Sequence, residues 1–246
     1  MSIQSSTLTY DSVPQIILLG DSLTQLGYEG WAATLANVYQ RRADIINRGC
    51  SGYNTKNYLD YIPLPSTTTN VCLVIIFFGA NDAALLEESP RQHVPLDEYS
   101  QNLKTLIQRV NETYNKPRIL LINPPPLCHE KRLLYQKQRY GDLATGRLER
   151  TTENTARYAD ACLQLNVPCL DLFHNMLQVS NYSEYLNDGL HFSDKGHVFV
   201  GQQVLDAIQQ HYPELHVIPC PVTGQYNNSS SQCAALKTLG PYHDLL

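Results

Sequence analysis

The sequence predicts an α/β fold in which a parallel β-sheet lies between two layers of helices. The first observation is a set of short apolar runs, most of them continuous rather than alternating, as in parallel strands covered on both faces. The second is that segments with helical spacing separate these runs, a pattern typical of a sheet with helices on both sides. The five runs are residues 15–20, 44–48, 71–78, 118–123 and 167–172.

Apolar side chains spaced three and four residues apart predict the helices between these strands. Ser193 precedes the last of them and has the hydroxyl side chain preferred at a helix N-cap. The residues predicted to face the core are Trp31, Leu35 and Val38, then Tyr99, Leu103, Leu106 and Val110, then Tyr158, Cys162 and Leu165, and finally Val200, Val204 and Ile208.

The length of 246 residues suits one α/β domain, or at most two small ones. A chain of this size buries roughly 70–75% of its unfolded surface, so its core needs no disulfide or metal to hold it. We predict a single domain over residues 1–246, in which the Pro-, Gly-, Asn- and Ser-rich residues 217–246 form a C-terminal appendage. Residues 124–148 fit the pattern less well and are either a lid-like loop or an irregular helix.

Charge and composition narrow the classes of partner. With 18 Lys and Arg against 23 Asp and Glu, the net charge is −5, which gives little attraction to nucleic acid or anionic lipid. The longest apolar stretch, residues 71–80, is about half the length of a membrane span, so no stable membrane insertion is expected. The polar N-terminus and seven cysteines without a Cys-x-x-Cys motif favour a cytoplasmic protein with free thiols and no metal.

Residue types suited to acyl-transfer chemistry follow the predicted strands. Ligands of an open parallel sheet bind beyond the carboxyl ends of its strands, so residues that follow the strands are expected to share one edge. Ser22 follows the first run, Gly52 the second and Asn81 the third, while Asp188 and His191 precede the last helix. A serine needs a base to become a nucleophile, and a histidine oriented by a carboxylate provides one.

Each of these signals is weak when it is taken alone. Ser22 also suits a helix N-cap, and Gly52 and Asn81 also suit ordinary turns. The Asp-x-x-His spacing occurs twice, because Asp171 and His174 repeat it at the end of the fifth run. The spacing itself does not decide which aspartate–histidine pair would serve the serine.

Taken together and in order, the four blocks resemble the SGNH (GDSL-type) hydrolases. The blocks are Gly-Asp-Ser-Leu at 20–23, Gly52, Gly-Ala-Asn-Asp at 79–82 and Asp-Gly-Leu-His at 188–191. Four longer stretches are similar to the isoamyl acetate-hydrolysing esterase subfamily. These stretches are residues 47–55, 77–83, 92–99 and 188–193.

The resemblance implies a flavodoxin-like, three-layer α/β/α fold with a five-stranded parallel sheet. It implies a carboxylic ester hydrolase with catalytic Ser22, His191 and Asp188, and an oxyanion hole formed by Ser22, Gly52 and Asn81. The subfamily implies short-chain acyl esters of small alcohols as substrates. Lysophospholipase, thioesterase and carbohydrate acetylesterase activities at the same site remain alternatives. We expect no cofactor and no metal, a small-molecule ester as the partner, and a possible homodimer.

Two functions of other classes compete with the esterase. A flavodoxin-like module that binds FMN or a nucleotide lacks support, since no Gly-x-Gly-x-x-Gly or Walker-type motif follows any strand. A catalytically silent protein would have no need of all five site residues together.

Several other residues have an ordinary structural interpretation. Asp21 and Asp82 are predicted to tie loops together through backbone N–H groups, and His93 and His197 to lie at the surface or at helix ends. Cys128, His129 and Glu130 are adjacent and present no chelating face. For four aromatic residues, a substrate pocket and the plain core are equally favoured: Tyr28, Trp31, Tyr53 and Phe78.

Overall fold

The computed structural model describes residues 13–40, 42–66 and 70–215, and the predicted appendage at 217–246 lies outside the described residues. The described chain forms one five-stranded sheet in which every pairing is parallel, as predicted. The strand order is β2-β1-β3-β4-β5. The strands are β1 (Gln15–Gly20), β2 (Asp44–Gly49), β3 (Val71–Phe77), β4 (Arg118–Ile122) and β5 (Cys169–Leu170).

Helices cover both faces of this sheet, which confirms the three-layer α/β/α prediction. The helices are α1 (Ser22–Gln25), α2 (Trp31–Val38), α3 (Thr55–Tyr61), α4 (Leu96–Thr113), α5 (His129–Tyr140), α6 (Thr152–Leu163), α7 (Leu172–Leu177) and α8 (Asp194–His211). Buried side chains of α2 and α8 pack on one face, and those of α3, α4 and α6 pack on the other. The alternation of strand residues between these two clusters follows from the two-residue period of a β-strand.

Local chemistry sets where several helices begin. The side chain of Asn54 caps α3 by accepting from the N–H of Asn57, and Thr151 caps α6 in the same way. Ser193 accepts from the N–H of Gly196 at 3.2 Å and caps α8, as the sequence predicted. Side-chain oxygens at these positions satisfy N–H groups that the first helical turn leaves without a partner.

The fifth strand is shorter than predicted. The run at 167–172 suggested six residues, yet only Cys169 and Leu170 pair with β4. The helix α7 begins immediately afterwards, because the Asp171 side chain accepts from the N–H of His174 and caps it. Pro168 precedes the pair and has no N–H to donate to a ladder. Leu165 likewise lies just beyond the end of α6, although it still packs against the core.

The sheet order places a crevice beside β1. From β1 the chain moves outward to β2 and then returns to β3 on the opposite side of β1. This reversal is the topological switch point at which open α/β sheets bind ligands. The segments that follow β1, β2 and β3 therefore meet above one edge of the sheet. Among the described residues, no helix is long and apolar enough to cross a membrane.

Candidate active site

Ser22 is the first residue of α1 and lies directly beyond β1. The Asp21 carboxylate accepts from the N–H of Leu23 at 2.9 Å and caps this short helix, so Ser22 sits inside the turn rather than at the cap. Its side chain is buried except for a small exposed part that borders the cleft. The Ser22 Oγ lies 2.9 Å from the Nε2 of His191, within hydrogen-bond reach.

The Asp188 carboxylate fixes the other side of the His191 ring. His191 Nδ1 lies 2.9 Å from Asp188 Oδ2, while Asp188 Oδ1 accepts from the N–H groups of Leu190 and His191. Burial alone would raise the pKa of Asp188, but the hydrogen bonds and charge of His191 hold this pKa well below its ordinary value. An ionised carboxylate at Nδ1 leaves Nε2 free to accept a proton.

The second aspartate–histidine pair lies elsewhere. His174 Nδ1 is 2.9 Å from Asp171 Oδ2, a local geometry that matches the one at His191. However, this pair lies at the N-terminus of α7 with the His174 side chain about half exposed. The structure thus brings Asp188 and His191 to Ser22 and leaves Asp171 and His174 apart from it.

Gly52 and Asn81 border the same cleft as Ser22. Gly52 adopts φ of +78°, a left-handed conformation that suits glycine, in the turn between β2 and α3. Asn81 follows β3, is almost fully buried, and donates from Nδ2 to the carbonyl oxygen of Tyr53 at 2.8 Å. All five residues singled out from the sequence therefore lie at one edge of the sheet.

The cleft has a volume of about 560 Å³, and its lining is mainly polar. Besides Ser22, Gly52, Asn81 and His191, it is lined by charged and hydrogen-bonding side chains together with a few apolar ones. The polar members are Ser51, Glu88, Ser89, Gln92, Arg132, Gln136, Thr145, Arg147, Glu149 and Arg150, and the apolar members are Tyr140, Leu143, Ala144 and Leu190.

Residues 124–148, left open by the sequence, form the α5 helix and a wall of this cleft. The helix is joined to the loop that carries His191, because the N–H of Cys128 donates to the carbonyl oxygen of Gly189 at 3.0 Å. Gly189 has φ of +86°, and a Cβ there would lie 2.5 Å from the backbone of Arg132. This close approach requires a glycine.

An ionic network surrounds the cleft, and sequence reasoning missed it. Glu149 accepts from Arg132 Nε at 2.5 Å and from Arg150 Nη1 at 2.8 Å. Arg132 also donates to Asp188 Oδ2 at 2.8 Å. The one available signal was the charged stretch around Arg132, which broke the α/β pattern. Sequence reasoning also missed Gln92, although it is the first residue of a stretch, 92–99, that resembles the esterase subfamily.

Asp82 ties two loops together, as predicted, whereas Asp21 bonds only within its own turn, to the N–H of Leu23. Asp82 Oδ1 accepts from the N–H of Thr55 at 2.9 Å and from its hydroxyl at 2.5 Å, which ties the segment after β3 to the start of α3. Both carboxyls are fully buried. Burial raises the pKa of Asp21 to about 7 and that of Asp82 to about 6.

The four aromatic residues considered for a pocket do not line the cleft. Trp31 and Phe78 belong to the buried core, and Tyr28 is half exposed, with its hydroxyl bonded to the carbonyl oxygen of Ile45. Tyr53 contributes only its carbonyl oxygen to Asn81. The pocket interpretation of these aromatic residues is therefore wrong, and Tyr140 is the aromatic residue that borders the cleft.

Three further histidines of the described chain make structural contacts. His93 Nδ1 lies 2.6 Å from the carbonyl oxygen of Ala84, and His129 Nε2 accepts from the N–H of Thr152 at 3.0 Å. His197 is buried against Phe192 in the first turn of α8, which agrees with the predicted helix-end position and not with a surface one. Across residues 13–40, 42–66 and 70–215, no group of three or more His, Cys, Asp or Glu side chains could hold a metal ion.

Solved structures share this fold. A lipase/acylhydrolase from Enterococcus faecalis superimposes with a TM-score of 0.61 at 24% identity, covering 80% of this chain and 96% of that one. Axe2, an acetylxylan esterase from Geobacillus stearothermophilus, gives 0.58 at 19% identity, covering 82% and 96%. At these identities the likeness shows the fold alone.

Relatives with higher sequence identity show the family as well as the fold. The human isoamyl acetate-hydrolyzing esterase 1 homolog is 37% identical over 219 residues, which are 83% of this chain and 85% of the relative. A GDSL esterase/lipase of Arabidopsis thaliana is 38% identical over 203 residues, 78% and 84% of the two chains. Fold, site and relatives define a carboxylic ester hydrolase. The model of the GDSL-like lipase/acylhydrolase family matches residues 18–199, and the chain belongs to this family.

Proposed function

We propose that the protein is a serine esterase that hydrolyses short-chain acyl esters of small alcohols through an acyl-enzyme intermediate. The observation that carries this proposal is the pair of contacts made by His191. Its Nε2 lies 2.9 Å from Ser22 Oγ, and its Nδ1 lies 2.9 Å from Asp188 Oδ2. Nucleophile, base and orienting carboxylate are thus arranged in series.

The proposed reaction has two steps. His191 takes the proton of the Ser22 hydroxyl as Oγ attacks the ester carbonyl, and the negative charge then develops on the carbonyl oxygen. The N–H groups of Ser22 and Gly52 and the Asn81 amide stabilise this oxyanion. His191 next donates its proton to the departing alcohol. Water, activated by the same imidazole, hydrolyses the acyl-enzyme and releases the acid.

The substrate part of the proposal rests on two supports. The curated relatives named isoamyl acetate-hydrolyzing esterase 1 homologs are 37–40% identical to this chain, which favours acetate-type esters of small alcohols. The cleft, at about 560 Å³, is of the usual size for small-molecule sites and admits such an ester. The cytoplasmic location and the homodimer predicted from the sequence stay predictions.

A second candidate substrate class is favoured by the polar lining of the cleft. Side chains such as Gln92, Gln136 and Thr145 border the space above Ser22 and offer hydrogen bonds to a hydroxyl-rich alcohol. A carbohydrate acetylesterase would use the same chemistry with a sugar as the leaving alcohol. Matched acetates of isoamyl alcohol and of a pentose separate the two classes, because the acyl group is the same in both.

The test of the mechanism is hydrolysis of p-nitrophenyl acetate, butyrate and octanoate by the wild type and three variants. We expect Ser22→Ala and His191→Ala each to lower kcat by about 10³-fold or more. His174→Ala is the matched control, because it removes an identically spaced histidine and should retain activity. Turnover that falls with acyl length supports a short-chain esterase. Turnover that is insensitive to Ser22 and His191 would overturn the mechanism.

A further inference from the structure

We propose that Gln92 and Arg150 are positioning residues that fix the oxyanion hole, and that they force Asn81 to present an N–H group rather than an oxygen to the substrate. This inference rests on the proposed function, since it concerns the same oxyanion. Neither residue belongs to the four sequence blocks. Both line the cleft beside Asn81.

Gln92 joins two of the three proposed oxyanion donors. Its Nε2 donates to Asn81 Oδ1 at 3.0 Å and to the carbonyl oxygen of Gly52 at 3.3 Å. One amide nitrogen thereby holds the loop after β2 and the loop after β3 at a fixed separation. The backbone of Gln92 is itself held, because its carbonyl oxygen accepts from Asn54 Nδ2 at 2.9 Å.

Arg150 decides which way the Gln92 amide faces. Its Nη2 donates to Gln92 Oε1 at 2.7 Å and lies 3.4 Å from Asn81 Oδ1. A guanidinium has donors and no acceptor, so the atom of Gln92 that it contacts must be the oxygen. The Arg150 side chain is only 2% exposed, and Glu149 balances its charge at 2.8 Å. This cation is therefore held in place beneath the cleft.

The constraint passes from Arg150 through Gln92 to Asn81. With Oε1 facing Arg150, the Gln92 nitrogen must face Asn81, and the atom of Asn81 that it meets must be the oxygen. The Asn81 nitrogen is then directed to the Tyr53 carbonyl oxygen at 2.8 Å. An amide nitrogen carries two hydrogens, so one N–H remains for the substrate oxygen.

This arrangement matters because the reverse orientation of Asn81 would oppose the reaction. A flipped amide would bring its oxygen towards the developing oxyanion, and two acceptors repel each other. Donors that are fixed before the reaction need no reorganisation in the transition state. The buried charge of Arg150 also polarises the chain of amides, which strengthens each hydrogen bond along it.

The decisive variant is Gln92→Glu, which keeps the shape and the contact to Arg150 but cannot donate to Asn81 or to Gly52. We expect kcat on p-nitrophenyl acetate to fall by about 10–10²-fold, with KM within about threefold, because a donor to the oxyanion acts in the transition state. In an Asn81→Ala background the same change should cost clearly less than in the wild type, because only the longer contact to the Gly52 carbonyl remains to be lost. Gln101→Glu, on the exposed side of α4, is the charge-matched control.

Arg150→Lys provides a second route if Gln92→Glu unfolds, which the thermal midpoint Tm reports. It keeps the charge but loses the planar pair of donors, and its effect should likewise be smaller in the Asn81→Ala background. The inference would be overturned if Gln92→Glu lowered kcat by the same factor with and without Asn81→Ala. It would also be overturned if Gln92→Glu left kcat unchanged. If Ser22→Ala and Asn81→Ala both retained wild-type turnover, the proposed function itself would have failed. If kcat falls in Ser22→Ala and Asn81→Ala but the effects of Gln92→Glu and Asn81→Ala are additive, only the positioning role is rejected.

Discussion

Arg132 Nη1 donates to Asp188 Oδ2 at 2.8 Å, and the same oxygen lies 2.9 Å from His191 Nδ1. The other oxygen of Asp188 accepts two backbone N–H groups. The carboxylate that orients the imidazole is therefore bonded at both oxygens, and its Oδ2 is shared between His191 and Arg132. Because Arg132 belongs to α5, the wall of the cleft is tied directly to the proposed catalytic group.

The first prediction concerns this shared carboxylate. In Arg132→Gln, Asp188 Oδ2 loses its charged donor, so the carboxylate holds the His191 ring less firmly. We expect kcat to fall by about tenfold with KM within about threefold, because a misoriented base slows the chemical step. The measurement is kcat and KM for p-nitrophenyl acetate hydrolysis at one pH.

A suitable control for that measurement is Arg109→Gln. Arg109 is exposed on α4 and bonds to the carbonyl oxygen of Leu59, away from the cleft. It removes one positive charge from the protein without touching Asp188. An equal fall of kcat in both variants would reduce the effect to net charge, and an unchanged kcat in Arg132→Gln would refute the coupling.

Two glycines at opposite ends of α5 give a second prediction, about the attachment of this helix. At Gly189 an added Cβ would lie 2.5 Å from the Arg132 nitrogen and the Cys128 oxygen, whereas at Gly141 nothing lies within 4 Å. Both residues have positive φ. Gly141→Ala should therefore cost about 1–3 kcal/mol of unfolding free energy, the strain of a non-glycine residue at φ of +54° and ψ of −126°. Gly189→Ala should cost more and should also lower kcat, because it separates the helix from the loop of His191.

Urea denaturation and kcat, measured on both variants, check this expectation. Equal losses of stability would show that the contact between Gly189 and α5 does not contribute to the free energy of unfolding. A Gly189→Ala variant that is less stable yet fully active would show that α5 does not orient the Asp188 loop.

Much of the site was predictable because its residues directly follow strands. Ser22, Gly52 and Asn81 each lie just beyond a parallel strand, and the geometry of the sheet brings such positions together. The choice between His191 and His174 was not predictable from local pattern, because the two dyads have nearly the same geometry. From the sequence only the family resemblance pointed to His191, and in the structure the position beside Ser22 separates the two pairs.

Residues that act through distant contacts left no such signal. Arg150 meets Asn81 across 69 residues of sequence, and Arg132 meets Asp188 across 56. Neither contact has a period or a fixed spacing that a sequence pattern could reveal. The same holds for the short β5, where a continuous apolar run suggested a longer strand and the Asp171 cap began a helix instead.

The last prediction concerns stability and pH, through Asp21. Burial raises the pKa of this carboxyl from 3.8 to about 7, so the folded state favours the protonated form. The stabilisation from a raised acid is complete below the unfolded pKa and is lost as pH rises through the folded value. Between pH 5 and pH 8 the wild type should therefore lose roughly 2–3 kcal/mol of unfolding free energy through this group. Asp21→Asn cannot ionise and should lack that loss.

Urea denaturation at pH 5 and pH 8 measures the difference, with the exposed Asp60→Asn as the control. Asparagine retains an oxygen for the Leu23 N–H, but its amide would stand where Asp21 Oδ2 has no partner among the described residues. That cost is the same at both pH values, so the change with pH, rather than the absolute stability, is the quantity to compare. If Asp21→Asn loses as much stability as the wild type between pH 5 and pH 8, Asp21 does not titrate in this range and its burial does not act on the charge as we infer.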